Sequence, residues 1–142
     1  MLEILSWKPE FSMKVSEIDE QHKKIIELIN LLHSDAYTGS YKQGCADILK
    51  QLYNYCDYHF STEEKYFHHF NYLGTEEHEN EHRLYRKNVI EFESRLEKIS
   101  SDYDIGKFAS ELLIFLHDWW EHHILYIDKK YVNCFNENSP SK

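Results

Sequence analysis

A chain of 142 residues has the length of one ordinary domain and leaves no room for two full-sized cores. Hydrophobic residues make up 42% of it and aromatics 15%, enough apolar surface to exclude a disordered chain. A formal charge of -9 repels phosphate backbones and anionic lipid heads, so nucleic acid and membrane surfaces are poor partners.

The chain opens with an arm, residues 1–17, that carries Glu3, Lys8 and Glu10 and lacks the apolar run of a signal peptide. Apolar residues recurring at three- and four-residue steps then mark four helices. The first is expected over about Ile18 to Leu32, with Ile18, Ile25, Ile29 and Leu32 on one stripe, before the polar stretch Tyr37-Thr38-Gly39-Ser40. The second is expected over about Lys42 to Asn71, turning Ile48, Leu52, Tyr55, Cys56, Tyr66 or Phe67, and Phe70 inward. Gly74 suits a helix end, and Thr75 suits the cap of a third helix, with Glu76 and Glu77 in the first turn where the helix dipole favours anions. That helix runs to about Ile99 on the stripe His78, His82, Tyr85, Val89, Phe92, Leu96, Ile99, a 4-3-4-3-4-3 spacing. After Ser100-Ser101-Asp102-Tyr103-Asp104, a fourth helix shows Phe108, Leu112, Phe115, Leu116, Trp119, His123 and Tyr126 or Ile127. The polar tail, residues 136–142, is expected to fray. With short connections, and prolines only at Pro9 and Pro140, the pattern predicts an all-α, up-down-up-down antiparallel four-helix bundle formed by residues 1–135.

Polar residues interrupt these stripes in a consistent way. His22 falls between Ile18 and Ile25, His59 follows Leu52 and Cys56, His78 and His82 open the third stripe, and His123 follows Phe115 and Trp119. Glu63 lies one turn beyond His59 on the same face. One core histidine is usually a hydrogen-bonded structural residue. Five imidazoles and a carboxylate buried without partners would cost several kcal/mol per group, roughly the whole stability of a domain. A metal removes that penalty by using the lone pairs. One ion hardly takes five imidazoles, whereas a carboxylate can bridge two ions, so a dinuclear site is expected. His33, His68 and His69 lie outside the cluster, and His122 points about 100° away from His123. His117 faces outward or supports a ligand without touching metal.

The ligand set resembles that of the hemerythrin family, in particular its bacterial single-domain form. The resemblance is carried by Asp19-Glu20-Gln21-His22, His59-x-x-x-Glu63, His78-x-x-x-His82 and His123-Ile124-x-x-x-Asp128, with Trp7 in the N-terminal arm. It implies two iron ions, one held by His78, His82 and His123 and the other by His22 and His59. Glu63 and Asp128 would bridge them together with an oxo or hydroxo group. Asp128 rests on the resemblance alone: a step of five from His123 leaves the inward stripe by about 140° on an ideal helix. A local distortion of the fourth helix or an oblique approach of the carboxylate is then required. The resemblance also implies reversible O₂ binding at the open position of the two-histidine iron, within walls supplied by Trp7, Phe60, Trp119, Ile124 and Tyr131. Trp120 stands where the family usually has leucine, so a bulkier indole is expected to narrow that pocket or redirect entry.

The expected function is O₂ carriage, storage or delivery, possession of O₂ being passed to an oxygen-consuming enzyme. Two alternatives use the same centre: an O₂- or iron-responsive sensor module, and a di-iron peroxide or nitric oxide reductase. No further inward Lys, Ser or Cys supplies an acid, base or nucleophile, so a non-enzymatic role is preferred. A carboxylate-type di-iron bundle needs paired E-x-x-H motifs, and only Glu79-x-x-His82 occurs, with Glu79 off the inward stripe. Cys45, Cys56 and Cys134 lack C-x-x-C spacing and suggest reduced thiols. With no apolar run near the roughly 18 residues of a membrane span, a soluble, cytoplasmic monomer is expected.

Overall fold

The computed structural model describes residues 5–38 and 41–138. Four long helices dominate: α1 (Ser16–Thr38), α2 (Tyr41–His69), α3 (Thr75–Glu97) and α4 (Asp102–His122), followed by α5 (Val132–Asn138). The turn expected at Gly39-Ser40 and the tail residues 139–142 lie outside the described residues. α1 packs on α2 and α4, and α2 on α3, the adjacency of an up-down-up-down bundle.

Each helix turns its stripe inward. Ile18, Ile25, Ile29 and Leu32 of α1 meet Ile48, Leu49 and Leu52 of α2, Val89 and Leu96 of α3, and Phe108, Leu112 and Leu116 of α4, all buried. Each contributes on the order of 1.5–3 kcal/mol by leaving water. Of the alternatives left open by periodicity, Phe67 is buried and Tyr66 half-buried, while Ile127 is half-buried and Tyr126 exposed.

The helix ends explain the connections. Ser101 caps α4 by accepting from the Asp104 backbone N–H (3.2 Å). At α3 the expected cap moves by one residue: Gly74 is the N-cap, and Thr75, the first helical residue, donates its hydroxyl to the Tyr72 carbonyl (2.6 Å). The Tyr72 ring folds back so closely that a Cβ at position 74 would lie 2.7 Å from its hydroxyl oxygen. A larger residue there would require the Tyr72 ring to swing aside.

The described part of the arm, from Leu5 onwards, is pinned. Phe11 and Met13 are fully buried, Leu5 exchanges backbone hydrogen bonds with the Asn30 amide, and Asp19 accepts from Ser12 Oγ (2.6 Å) and Met13 N (2.8 Å). Beyond α4 the chain forms a π turn at His123–Ile127 and a 3₁₀ turn at Asp128–Tyr131 before α5. Asn136 to Asn138 continue that helix instead of fraying, because Phe135 is buried and Asn136 Nδ2 donates to Val132 O (2.8 Å) and reaches Met13 O (3.4 Å).

Candidate metal centre

In an antiparallel bundle the start of α1, the end of α2, the start of α3 and the end of α4 lie at one end of the molecule. His22, His59 with Glu63, His78 with His82, and His123 occupy those four places. The structure brings all of them together and buries every one. Two overlapping groups result, Glu63, His78, His82 and His123 in one, and His22, His59, Glu63 and Asp128 in the other. Within each group the ligand atoms lie within 4.8 Å of one another.

The π turn accounts for Asp128. The Asp128 backbone N–H donates to the carbonyl of His123, five residues back, so one wide turn absorbs the extra residue and returns Asp128 to the face of His123. Its Oδ1 lies 2.9 Å from His78 Nε2 and 3.0 Å from His123 Nε2, while Oδ2 lies 3.1 Å from His22 Nε2. The two oxygens therefore point to different halves of the site. Glu63 differs: Oε1 faces His82 (3.1 Å), His59 (3.5 Å) and His78 (3.8 Å), whereas Oε2 accepts a 2.6 Å hydrogen bond from the Tyr131 hydroxyl.

These short separations are not hydrogen bonds. His22 Nε2, His59 Nε2, His82 Nε2, Glu63 Oε1 and both oxygens of Asp128 are buried and make none. His78 Nε2 and His123 Nε2 instead hydrogen-bond each other at 3.2 Å, one ring donating to the other. Lone pairs aimed past one another at shared points, at roughly 1–3 kcal/mol per unsatisfied group, fit a site built for cations. The donor set, five imidazole nitrogens with two carboxylates, suits a borderline divalent transition metal.

Several imidazoles are oriented from behind. His59 Nδ1–H donates to Gln21 Oε1 (2.7 Å), and Gln21 Nε2 in turn donates to Thr62 Oγ1 (3.3 Å). His82 Nδ1–H donates to Glu64 Oε2 (2.7 Å). In the neutral ring each bond places the proton on Nδ1 and turns the Nε2 lone pair inward. Glu81 lies 4.0 Å from His123 Nδ1, an electrostatic neighbour rather than a hydrogen-bond partner. Sequence reasoning did not single out Gln21 or Glu64: each adjoins a ligand, one 100° step round the helix, and reads as a solvent-facing residue.

Electrostatics separates the two halves. Burial, reinforced by His22 and His82, pushes His59 down to about 3 despite Glu63 and Asp128. Burial also opposes the charged form of His123, yet Asp128, Glu81 and Glu63 overcome it and lift this group to about 9. Burial likewise opposes protonation of His82, and the carboxylates of Glu63 and Glu64 reverse it. For Asp128, burial favours the neutral acid, but His123, His22 and His78 hold the carboxyl well below its ordinary value.

Aromatic rings enclose the cluster. Phe60 stacks on His82 at 3.8 Å between centroids, and Trp119 stacks on His123 at 4.3 Å. Trp120 is fully buried, its ring 6.3 Å from that of His22, 6.0 Å from His59 and 5.8 Å from Phe60. Ile124 and Tyr131 are buried. Trp7 is placed elsewhere, half-buried against Phe11 and beneath Lys23 Nζ in a groove on the outer side of α1. His117 sits beside Asp118 and Glu121, and His68 bonds Glu79 at the surface.

Fold and site together define an α-helical bundle that buries, at one end, two overlapping groups of histidines and carboxylates able to hold metal. The family model described as the hemerythrin HHE cation binding domain matches residues 13–135, and the chain belongs to the hemerythrin family. A bacteriohemerythrin of Clostridium acetobutylicum is 34% identical over 131 residues, spanning 89% of this chain and 98% of the relative. A bacteriohemerythrin of Methylococcus capsulatus is 29% identical over 143 residues, spanning 94% and 98%. A solved wild-type hemerythrin superposes with a TM-score of 0.75 at 27% identity, covering 92% of this chain and 97% of that one. An alanine variant of hemerythrin gives 0.77 at 26% identity, covering 94% and 98%.

Proposed function

We propose that this protein binds O₂ reversibly at a non-haem di-iron centre and serves O₂ carriage, storage or delivery to an oxygen-consuming enzyme. The observation that carries the reading is the set of seven buried residues gathered in two adjoining groups, with inward atoms of His22, His59, His82, Glu63 and Asp128 left without a hydrogen bond. His78, His82 and His123 would hold one iron, His22 and His59 the other, with Glu63 and Asp128 between them, and the pair would supply the two electrons that reversible O₂ binding exchanges. The protein's own part is to fix and shield. Gln21 and Glu64 keep His59 and His82 in the ligating tautomer. Phe60, Trp119 and Trp120 wall the centre with apolar rings and Ile124 is buried beside His123, which excludes water and opposes irreversible oxidation. Five neutral imidazoles against two carboxylates stabilise highly oxidised iron poorly, which favours reversible binding over oxygen insertion.

Within this reading the chain acts as a cytoplasmic monomer without enzymatic activity of its own. None of Cys45, Cys56 and Cys134 is in a disulfide, which supports a reducing compartment, and no described helix is long and apolar enough to cross a membrane. The test is metal analysis with visible spectroscopy on the anaerobically reduced protein. Two irons per chain and a coloured form that appears with O₂ and disappears on its removal are expected. Direct conversion to a permanently oxidised form would overturn the carrier reading.

A further inference from the structure

The two carboxylates of the centre are not equivalent, and the difference lies outside the ligand set. Asp128 offers one oxygen to each half of the site. Glu63 offers only Oε1, because Oε2 is taken by the Tyr131 hydroxyl at 2.6 Å. That bond is well built. Tyr131 is fully buried, its ring stacked on Phe135 at 4.1 Å and inclined at 29° to His78 at 5.6 Å. The 3₁₀ turn that directly follows the π turn fixes its place. Oε1 is an orphan and Oε2 is satisfied, so the three-histidine half has all its donors ready: His78, His82 and His123, Glu63 Oε1 and Asp128 Oδ1. The two-histidine half has His22, His59 and Asp128 Oδ2, and shares Glu63 Oε1, which lies 3.5 Å from His59 Nε2, with the other half. To gain an oxygen of its own from Glu63, it must compete with the Tyr131 hydroxyl for Oε2.

We propose that Tyr131 is a positioning residue that sets the order of metal loading, holding Glu63 Oε2 out of the two-histidine position until the three-histidine position is filled. The inference rests on the two-metal reading of the site but not on O₂ binding. Tyr131 keeps its proton throughout. The exchange is a hydrogen bond lost at Oε2 against a metal–oxygen bond gained there, so the loss falls wholly on the second ion. A hydrogen bond to a charged acceptor of this kind is equivalent to about tenfold in affinity.

The experiment is an anaerobic titration of metal-free protein with Co²⁺, followed by its visible d–d bands, for the natural chain and Tyr131→Phe. The phenylalanine keeps the ring stack, and circular dichroism checks the fold. The natural chain is expected to load in two separate steps. Tyr131→Phe should leave the first step unchanged and tighten the second by about tenfold. A variant that weakens both steps would show that Tyr131 merely orients the bridge and would overturn the proposal, as would an unchanged second step. Binding of fewer than two ions by the natural chain would overturn the two-metal reading itself. Infrared difference spectra of natural protein labelled with ¹³C at glutamate carboxylates give a reading that needs no variant. The Glu63 bands should shift in two stages, first as Oε1 is engaged at the first addition and again as Oε2 leaves Tyr131 at the second, and completion of both shifts at the first addition would overturn the loading order.

Discussion

At the residue scale, the proposed O₂ binding is tested first at Trp120. Its indole fills the space between His22, His59 and Phe60 and is fully buried, in a bundle end where a small ligand would otherwise lodge. Trp120→Leu is expected to speed O₂ association and irreversible oxidation together, read by stopped-flow absorbance. It should destabilise the fold by roughly 2–4 kcal/mol through the cavity left behind. Unaltered association would mean that ligand enters by another face. Glu64 tests the supporting layer in isolation: it touches His82 but no position where metal would sit. Glu64→Ala should lower metal affinity by about 10–100-fold, measured against a competing chelator, with helicity unchanged. The sequence made the five histidines and Glu63 legible because each lies on an apolar stripe, where a polar residue contradicts the pattern. Gln21 and Glu64 break no pattern. Their role depends on which imidazole lies across the interface, and periodicity within one helix carries no such information.

At the element scale, the same limit explains Asp128. Its five-residue step from His123 points outward on an α-helix, and only the resemblance made it a candidate. The π turn reconciles the two, since the Asp128 N–H reaches the His123 carbonyl. This makes an asymmetric prediction. Deleting the exposed Tyr126 would convert the π turn into an α turn with Asp128 four residues from His123, still on the same face. An alanine inserted after Tyr126 would make the step six, which no single turn absorbs, and would swing Asp128 about 100° aside. Metal stoichiometry by emission spectroscopy should therefore survive the deletion and fall from two ions with the insertion. Loss in both variants would mean that the wide turn has a role beyond register. The helices themselves were legible because amphipathic spacing is local. The displaced cap at Gly74 was not, because it depends on the Tyr72 ring folding over that residue, and neither was α5, whose anchors include the Met13 carbonyl of the distant arm.

At the scale of the molecule, the bundle has two unlike ends. Leu32, Ile48, Leu96 and Phe108 form a dry apolar end, while the end that carries the cluster buries polar atoms with no hydrogen bond. The first can hold the helices together without help, whereas the second loses roughly 1–3 kcal/mol for each orphaned group until a cation uses its lone pairs. A cation bound there would couple to folding at that end alone. At free metal about a thousand times the dissociation constant, linkage adds about 4 kcal/mol to stability. For a chain of this size that corresponds to a rise in melting temperature on the order of 10 °C. Thermal unfolding followed by circular dichroism, with and without excess chelator, measures that shift. The metal-free protein should keep its helical signal at room temperature, because the apolar end is complete. Its hydrogen exchange should quicken in the segment from His123 to Tyr131, where the π and 3₁₀ turns have no ion to close upon, and remain slow at Leu49, Leu52 and Leu112. An unchanged melting temperature would mean that these imidazoles and carboxylates satisfy one another without metal. Collapse of the whole helical signal would mean that the apolar end cannot fold alone.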